Sequence, residues 1–395
     1  MTDSLQPIKP GRLLSLDIFR GITIAGMFQV NNAGDWGHVW SPLEHAEWNG
    51  CTATDLIFPW FLFIVGVAMP FSFARRLESG AQKNDLIPQI IRRACLIFLV
   101  GAAIHLESWF AIGNFDWASP NYRIAGVLQR IALCYLFASL IMISWDIRGV
   151  ASWFAVLLLG YWALMTLVPV PPVPEGVEEQ YRNLASYIDR TILGPTCYKF
   201  DRKLGIGIHD PEGLLSTLPA IATTLSGILT GYWLRAKEKS GYEKVAGLFV
   251  AGFALIVLGM WWDYFFPMNK NLWTSSYVLF TSGWGLATLG VCYWLVDIKG
   301  ITTWAKPFAV YGVNAIAAYV GVAMMSYATI LIHWTGPDGK NILLKTWLYN
   351  TLFKSWIPAL FNDYASSAAY AFFTYVVLWC GIMWIFYRKK IYIKL

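Results

Sequence analysis

His45 is the residue of this sequence best placed for acid–base chemistry, because three carboxylates lie close to it in the chain. Glu44 and Glu47 flank it, and Asp55 follows in the stretch "EHAEWNGCTATDLIFPWF". A histidine titrates near neutral pH, and a neighbouring carboxylate orients its ring and stabilises its cation. This pattern is typical of a general base. From Leu56 onwards the residues are apolar, so the candidate base lies at the start of a hydrophobic segment.

Other polar residues lie within hydrophobic segments, where an ionisable group costs at least about 2.5 kcal/mol unless it faces a cavity. Asp17 and Arg20 are three residues apart, a spacing that also fits an ion pair within one helix. Gln129 is followed by Arg130, which has no carboxylate three or four residues away. Because arginine stays charged when buried, we expect its partner on another helix or in a bound phosphate or carboxylate.

Three further segments place polar groups at or within hydrophobic stretches. Glu212 belongs to "DPEG", a helix-start signature in which the acid also complements the helix dipole. Lys270 and Asn271 belong to "NKNLWTSS", which precedes another apolar stretch. Asn314 interrupts the apolar "VYGVNAIAAYV", where an amide can bond between helices.

The fold that positions these residues has the composition of a multi-pass membrane protein. Of 395 residues, 57% are apolar and 14% are charged, against about 25% charged in soluble domains. The many aromatic residues suit interfacial belts. The net charge of +6 is therefore no sign of nucleic-acid binding. The six cysteines have no spacing that suggests disulfides or a metal site, and the N-terminus has no signal-peptide pattern.

Segments of about 20 apolar residues predict an all-α bundle of about ten transmembrane helices. We place them near residues 13–31, 53–74, 88–109, 123–145, 149–169, 213–234, 246–266, 273–296, 307–332 and 366–388. The chain then forms one membrane-embedded domain, 1–395, with an outer loop at 32–54 and a long outer connection at 170–212. Residues 343–361 contain two lysines and a proline, which predicts a re-entrant or interfacial segment.

The distribution of positive charge predicts the orientation. With the N-terminus inside, the inner segments hold 18 of the 30 lysines and arginines. The short loops at 32–52, 110–122 and 267–272 then face outside, and Lys270 is their one positive residue. Both termini are therefore expected in the cytoplasm, and His45 on the outer side.

Several long motifs resemble a known family of membrane enzymes. "SLDIFRG", "VNNAG", "HAEWNGCTATDLIFPWFLFIVG", "GVLQR", "PEGLLSTLPA", "NKNLWTSS" and "VYGVNAI" occur in this order between about residues 12 and 320. Together they resemble the transmembrane acyltransferases typified by lysosomal heparan-α-glucosaminide N-acetyltransferase and its bacterial homologues. The large lumenal N-terminal region of the animal enzyme has no counterpart in this sequence. The resemblance therefore points to the compact bacterial form, in an inner membrane.

The resemblance implies acetyl transfer from cytoplasmic acetyl-CoA to the amino group of glucosamine, or of a terminal glucosaminide, on the outer side, with no metal. It implies His45 as the base or acetyl carrier. The implied catalytic residues are His45, Asp55 and Asn31; the substrate-binding residues are Glu212, Lys270, Asn271, Asn49 and Trp48; and the residues that bind acetyl-CoA are Arg20, Arg130, Gln129 and Asn314.

Two other functions fit the same features. A sugar transporter or permease also uses many spans with polar residues near the middle of the membrane. An O-acyltransferase acting on a hydroxyl of an envelope polysaccharide would share the acyl chemistry. Gly227 and Gly231 form a GxxxG pattern, which occurs in helix dimers and is compatible with a homodimer.

Overall fold

The computed structural model describes residues 13–80, 82–111, 123–336 and 339–393. In these ranges the chain is mainly helical, which confirms the predicted all-α class. The α-helices are α1 (Leu14–Asn31), α2 (Ile57–Glu78), α3 (Lys83–Ala111), α4 (Val127–Ser144), α5 (Ile147–Leu167), α6 (Leu184–Ile192), α7 (Thr217–Arg235), α8 (Gly241–Asp263), α9 (Ser275–Tyr293), α10 (Lys306–Val313), α11 (Ala315–Leu331), α12 (Leu344–Tyr349), α13 (Ile357–Leu360), α14 (Asp363–Ala371) and α15 (Leu378–Arg388).

Two short antiparallel hairpins make up the sheet structure of the described chain. The first pairs β1 (Lys199–Asp201) with β2 (Ile206–His209), and the second pairs β3 (His333–Thr335) with β4 (Asn341–Leu343). The first hairpin and α6 fold the long connection, for which the sequence predicted no structure. The segment predicted to be re-entrant or interfacial, 343–361, forms α12, a π-helical turn at Asn350–Lys354 and α13.

All ten predicted spans coincide with helices, but not all of these helices are long and apolar enough to cross a bilayer. Seven stretches of the described chain are long and apolar enough to cross a bilayer: Thr54–Glu78, Lys83–His105, Val127–Ser144, Ile147–Leu167, Gly241–Asp263, Ser275–Ile298 and Asp363–Arg388. The α10–α11 pair is an eighth if counted as one span, although it bends by 77°. These helices support an integral membrane protein, and the orientation stays a prediction.

The other two predicted spans, α1 and α7, contain more polar residues among their apolar ones, and most of their residues are buried in the bundle. Along α7, Thr223 and Thr230 are buried and donate hydrogen bonds to carbonyls one turn back in the same helix. A helix covered by protein needs no apolar surface. By contrast, α8 exposes large apolar side chains such as Val250, Phe253 and Trp261, as lipid-facing helices do.

Close packing of α2 on α7 depends on glycine. A Cβ on Gly66 would lie 2.0 Å from the carbonyl oxygen of Thr224, and one on Gly227 would lie 2.1 Å from that of Phe63. A Cβ on Gly231 would also meet α2, 2.6 Å from a carbonyl oxygen. The GxxxG pattern is therefore used inside the chain, so it gives no support to the homodimer.

Candidate active site

The loop before α2 folds around the carboxylate of Asp55, which is fully buried in the turn Thr54–Leu56. Its Oδ2 accepts hydrogen bonds from the backbone N–H of Ala46 (3.0 Å), the backbone N–H of Thr52 (3.1 Å) and the Thr52 hydroxyl (3.1 Å). The hydroxyl of Tyr277 on α9 donates to the backbone carbonyl of Asp55 at 2.5 Å. The Thr52 hydroxyl shares its one proton with the Glu44 carbonyl, 2.6 Å away, so the two backbone N–H groups are the main donors that stabilise the ionised carboxylate.

His45 is oriented by the second oxygen of this carboxylate. Its Nδ1 lies 2.7 Å from Oδ1 of Asp55, and 48% of its side chain is exposed. Because an ionised carboxylate only accepts hydrogen bonds, Nδ1 carries the proton and Nε2 keeps its lone pair. The predicted base therefore has a fixed tautomer and an accessible side chain.

Lys270 completes a three-residue cluster with His45 and Asp55. Its Nζ lies 3.0 Å from Nδ1 and 3.1 Å from Nε2 of His45, and 3.6 Å from Oδ1 of Asp55. The Lys270 side chain is 20% exposed. Burial lowers the pKa of Lys270, and the negative charges of Asp55 and Glu212 partly oppose that effect. A cation of reduced basicity thus lies against the imidazole.

A tight turn after α8 positions Lys270. The backbone N–H of Leu272 donates to Oδ1 of Asn269 at 2.9 Å, and the backbone N–H of Asn269 donates to the Thr274 hydroxyl at 3.0 Å. Trp273 has a φ of 52°, a left-handed conformation that costs about 1–2 kcal/mol in a residue with a Cβ. The Trp273 side chain is 1% exposed, so its burial offsets that strain and fixes the turn.

Asn49 and Trp48 join the His45 loop to two other segments. Oδ1 of Asn49 accepts from Nδ2 of Asn269 at 3.2 Å, beside Lys270. The Trp48 ring packs edge-on against Tyr181 of the long connection, with centroids 5.1 Å apart. Of the predicted acceptor residues, the structure therefore brings Asn49 to the Lys270 turn and Trp48 to the connection.

Glu212 lies in the turn before α7, which begins four residues later than predicted. The Arg123 guanidinium contacts the Glu212 carboxylate and binds Asp210 through two hydrogen bonds, at 3.0 and 2.5 Å. Asp210 is fully buried. The pairing with Arg123 joins segments 87 and 89 residues apart in the chain, and no motif in the sequence indicates it.

Arg130 and Gln129 are buried at the start of α4, with exposures of 1% and 3%. Nη2 of Arg130 donates to the carbonyl of Gly213 at 3.0 Å and to the Ser216 hydroxyl, and the guanidinium lies 5.1 Å from the Trp273 ring centroid. In the described chain, Nε and Nη1 of Arg130 and both amide atoms of Gln129 have no hydrogen-bond partner. We expected a partner for Arg130 on another helix or in a bound anion; the observed partners are uncharged oxygens in the turn before α7.

Arg20 and Asn314 lie at the other end of α1 from His45. Nη1 of Arg20 donates to Asp17 at 3.0 Å, the predicted pair within the helix, and to the carbonyl of Gly312 at 3.1 Å. Asn314, fully buried at the bend between α10 and α11, donates to the carbonyl of Ile391 at 2.9 Å and accepts from the backbone N–H of Ile393 at 3.1 Å. Its amide is thus engaged by the segment after α15.

Asn31, the third predicted catalytic residue, is exposed at the last position of α1. In the described part of the chain, no hydrogen bond or ion pair joins it to His45, Asp55 or Lys270. Its neighbour Asn32 is buried and accepts from the Ser326 hydroxyl at 2.7 Å. The catalytic role of Asn31 stays a prediction.

Beside the cluster lies a cavity that sequence reasoning missed. It has a volume of about 370 Å³ and is lined by Trp48, Tyr181, Tyr198, Lys199, Phe200, His209, Pro211 and Asn271. Most of these residues belong to the long connection. The concentration of tyrosine and phenylalanine in "YRNLASYIDRTILGPTCYKF" was the available signal, since a wholly solvated linker has little use for aromatic residues.

Comparison with known proteins identifies relatives. A profile of the catalytic region of heparan-alpha-glucosaminide N-acetyltransferase matches residues 12–188. The chain is 32% identical over 359 residues to the human protein of that name and 30% identical over 354 residues to the mouse protein. These alignments include 79% and 78% of this chain and 53% of each relative. The chain thus spans about half the length of the curated relatives it matches.

Proposed function

We propose that this chain, which is similar to heparan-alpha-glucosaminide N-acetyltransferase, is a transmembrane acetyltransferase. It takes the acetyl group from acetyl-CoA on the cytoplasmic side. The acceptor is the amino group of glucosamine or a terminal glucosaminide on the outer side. The relatives' names and the match over residues 12–188 support this activity, and we place the enzyme in a bacterial inner membrane.

The observation that carries the proposal is the fixed pair of His45 and Asp55. Nε2 of His45 takes a proton from the acceptor nitrogen as that nitrogen attacks the thioester carbon. The nitrogen–carbon bond forms, the carbon–sulfur bond breaks, and coenzyme A leaves as the thiolate. Asp55, at 2.7 Å, stabilises the imidazolium that results. In the two-step variant, Nε2 itself attacks the thioester and His45 carries the acetyl group.

Lys270 and Asn49 are placed to serve the same step. The Lys270 ammonium, 3.1 Å from Nε2 of His45, stabilises the oxyanion that develops on the thioester carbonyl. Asn49, whose Oδ1 already accepts from Asn269, keeps its Nδ2 hydrogens as donors to the acceptor or to that oxyanion. Asn31 remains a candidate for the same role, and Glu212, Asn271 and Trp48 for contact with the acceptor.

The residues proposed to bind acetyl-CoA divide into two groups. Arg20 and Asn314 lie at the predicted cytoplasmic end, where phosphate groups need cations. Arg20 suits that task, whereas Asn314 is held by the segment after α15. Arg130 lies over the ring of Trp273, a residue of the turn that presents Lys270, and Gln129 precedes Arg130 in the chain. Among the described residues, several buried atoms of this pair have no hydrogen-bond partner, and they suit the amide-rich arm that carries the thioester.

The test is acetyl transfer to glucosamine by the purified protein in proteoliposomes, with His45→Ala as the variant. We expect a loss of about 10³–10⁴-fold. His38→Ala is the matched control, because His38 also pairs with an aspartate, Asp35, at 2.9 Å in the same loop. Transfer near the wild-type rate by His45→Ala would rule out the assignment. Sugar counterflow without consumption of acetyl-CoA would instead indicate a transporter.

A further inference from the structure

The cavity beside the cluster adjoins the reacting groups without including them. Trp48 is three residues from His45, and Asn271 follows Lys270 directly, yet neither His45 nor Lys270 is among the described residues that line the cavity. When the amine of an acceptor molecule reaches His45, the part of the molecule next to the amine-bearing ring therefore lies at this cavity. The volume of about 370 Å³ is at the lower end of small-molecule sites, so it suits one ring and not a long chain.

Tyr198 forms an open aromatic platform in the cavity. The Arg123 guanidinium lies over its ring, 4.6 Å from the centroid, and Arg123 is itself held by Asp210. Tyr198 is nevertheless 67% exposed. One ring face is therefore covered and fixed by a cation while the residue stays accessible. Aromatic faces of this kind pack against the C–H faces of sugar rings.

The remaining walls are aromatic and rigid. Tyr181 is 6% exposed and packs against Trp48 and His209, with ring centroids 5.1 and 5.7 Å away. Nδ1 of His209 is held by the Ser186 hydroxyl at 3.0 Å. The His209 ring also has a backbone hydrogen bond with Asn271, and the residue is 3% exposed. His209 is therefore a fixed part of the wall.

The charges around the cavity are already balanced. Lys199 is the one lysine or arginine among the described lining residues, and its Nζ lies 2.9 Å from a Glu178 oxygen and 2.9 Å from the Tyr181 hydroxyl. Burial lowers the pKa of His209 to about 4, so this ring is neutral at physiological pH. The lining therefore offers aromatic faces and hydrogen-bonding groups, and no unpaired cation for an acidic ligand.

We propose that this cavity binds the uncharged sugar ring to which the reacting glucosaminide is linked, so that the preferred acceptor is a neutral oligosaccharide. The inference rests on the proposed acetyltransferase function and adds to it a subsite and a substrate class. The exposed ring of Tyr198 contacts a face of the sugar, and Trp48, Tyr181 and His209 form the fixed wall beside it.

The kinetic test compares three acceptors: glucosamine, glucosamine linked to N-acetylglucosamine, and glucosamine linked to a uronic acid. In the wild type we expect the lowest KM for the neutral disaccharide. Tyr198→Ala raises that KM about tenfold and leaves kcat and the KM for glucosamine unchanged. Tyr198→Phe keeps the platform and the low KM. Tyr187→Ala is the matched control, since Tyr187 is an exposed tyrosine of α6 outside the lining.

The binding test needs no transfer. The fully N-acetylated disaccharide, which has no free amine, is titrated by calorimetry into wild type and Tyr198→Ala, with binding expected only to the wild type. A uronic-acid disaccharide with the lowest KM, or equal effects of Tyr198→Ala on all acceptors, would overturn the subsite. Binding without transfer to any acceptor contradicts the proposed function alone, and transfer without disaccharide binding contradicts the subsite alone.

Discussion

Two carboxylate–histidine pairs lie at the same end of the bundle and differ in almost every physical respect. In the His45 loop, His45 and Asp55 are 2.7 Å apart, and half of the histidine side chain is exposed. In the long connection, His209 and Asp189 are 3.7 Å apart, and both are almost fully buried. The same two residue types therefore form an accessible pair and an enclosed one.

The donors around each carboxylate explain the difference. Asp55 accepts hydrogen bonds from two backbone N–H groups on Oδ2 and faces both His45 and Lys270 with Oδ1, an arrangement that stabilises its charge. Asp189 has two backbone donors, at 3.0 and 3.4 Å, and burial raises its pKa to about 7. With the pKa of His209 lowered to about 4, the enclosed pair is uncharged between these values. A histidine beside an aspartate thus becomes a base only where the carboxylate stays charged and the ring stays accessible.

Among substitutions that test the difference between the two pairs, Asp55→Asn should have the largest effect on kcat. The side-chain NH₂ group of asparagine would face the Nδ1 proton of His45, so the ring would adopt the opposite tautomer and lose its lone pair at Nε2. We expect kcat to fall about 10²–10³-fold, measured as acetyl transfer in proteoliposomes. If Asp55→Asn keeps the wild-type kcat, the carboxylate does not set the tautomer.

Substitution of Lys270 tests whether its positive charge contributes to the activity of the His45–Asp55 pair. Lys270→Met should lower kcat about 10–100-fold, because an oxyanion donor is lost. Burial lowers the pKa of Lys270, so its charge is lost at a lower pH than in an ordinary lysine. Lys270→Arg should therefore move the alkaline limb of the pH–rate profile to higher pH. Lys203→Met, in the exposed turn of the first hairpin, is the control. An unshifted alkaline limb in Lys270→Arg would show that another group titrates there.

Asp189→Asn tests the enclosed pair through stability. The raised pKa of Asp189 contributes stability that is lost as pH rises through about 7. The lowered pKa of His209 contributes stability that is lost as pH falls from 6.5 through about 4. Between about pH 4 and pH 6.5 the two residues change the stability of the wild type in opposite directions as pH changes, so their effects cancel. In Asp189→Asn only the effect of His209 remains. We therefore expect the free energy of unfolding to fall by an extra amount on the order of 2 kcal/mol on acidification, seen as a lower Tm at pH 5. A Tm difference from wild type that is the same at pH 5 and pH 7 would contradict the uncharged pair.

Asp35→Asn should have the smallest effect. Asp35 pairs with His38 at 2.9 Å, but both side chains are about one-third exposed. Exposed pairs contribute about 1 kcal/mol or less. We expect transfer within about twofold of wild type. A loss comparable to that of Asp55→Asn would mean that the loop as a whole, and not the Asp55 carboxylate, positions His45.

Much of the membrane bundle and two of the three residues of the cluster could be predicted from the sequence. Spans follow from apolar length, and even α1 and α7, whose polar residues are enclosed by protein, were long enough to detect. His45 and Asp55 are ten residues apart in one loop, so their pairing was predictable from proximity. Lys270 lies 225 residues from His45. The predicted topology placed both residues on the outer side, and the family resemblance assigned both to one site.

The long connection could not be predicted, for physical reasons. β1 and β2 have three and four residues, too few for an alternating pattern to show. The pairing of Arg123 with Asp210 and Glu212 joins positions 87 and 89 residues apart, which no local spacing rule detects. The cavity beside His45 depends on both features. The cavity proposed to bind the acceptor was consequently the least predictable part of the site.

The hydrogen bonds of Asn314 have a consequence for biosynthesis. They join Asn314 to residues 77 and 79 positions later in the chain. The ribosome must therefore add these residues before the amide finds its partners. Until then the amide at the bend between α10 and α11 lacks the two partners that it has in the folded chain. The bend is thus completed late, and a chain that ends before Ile391 leaves the α10–α11 pair without these bonds.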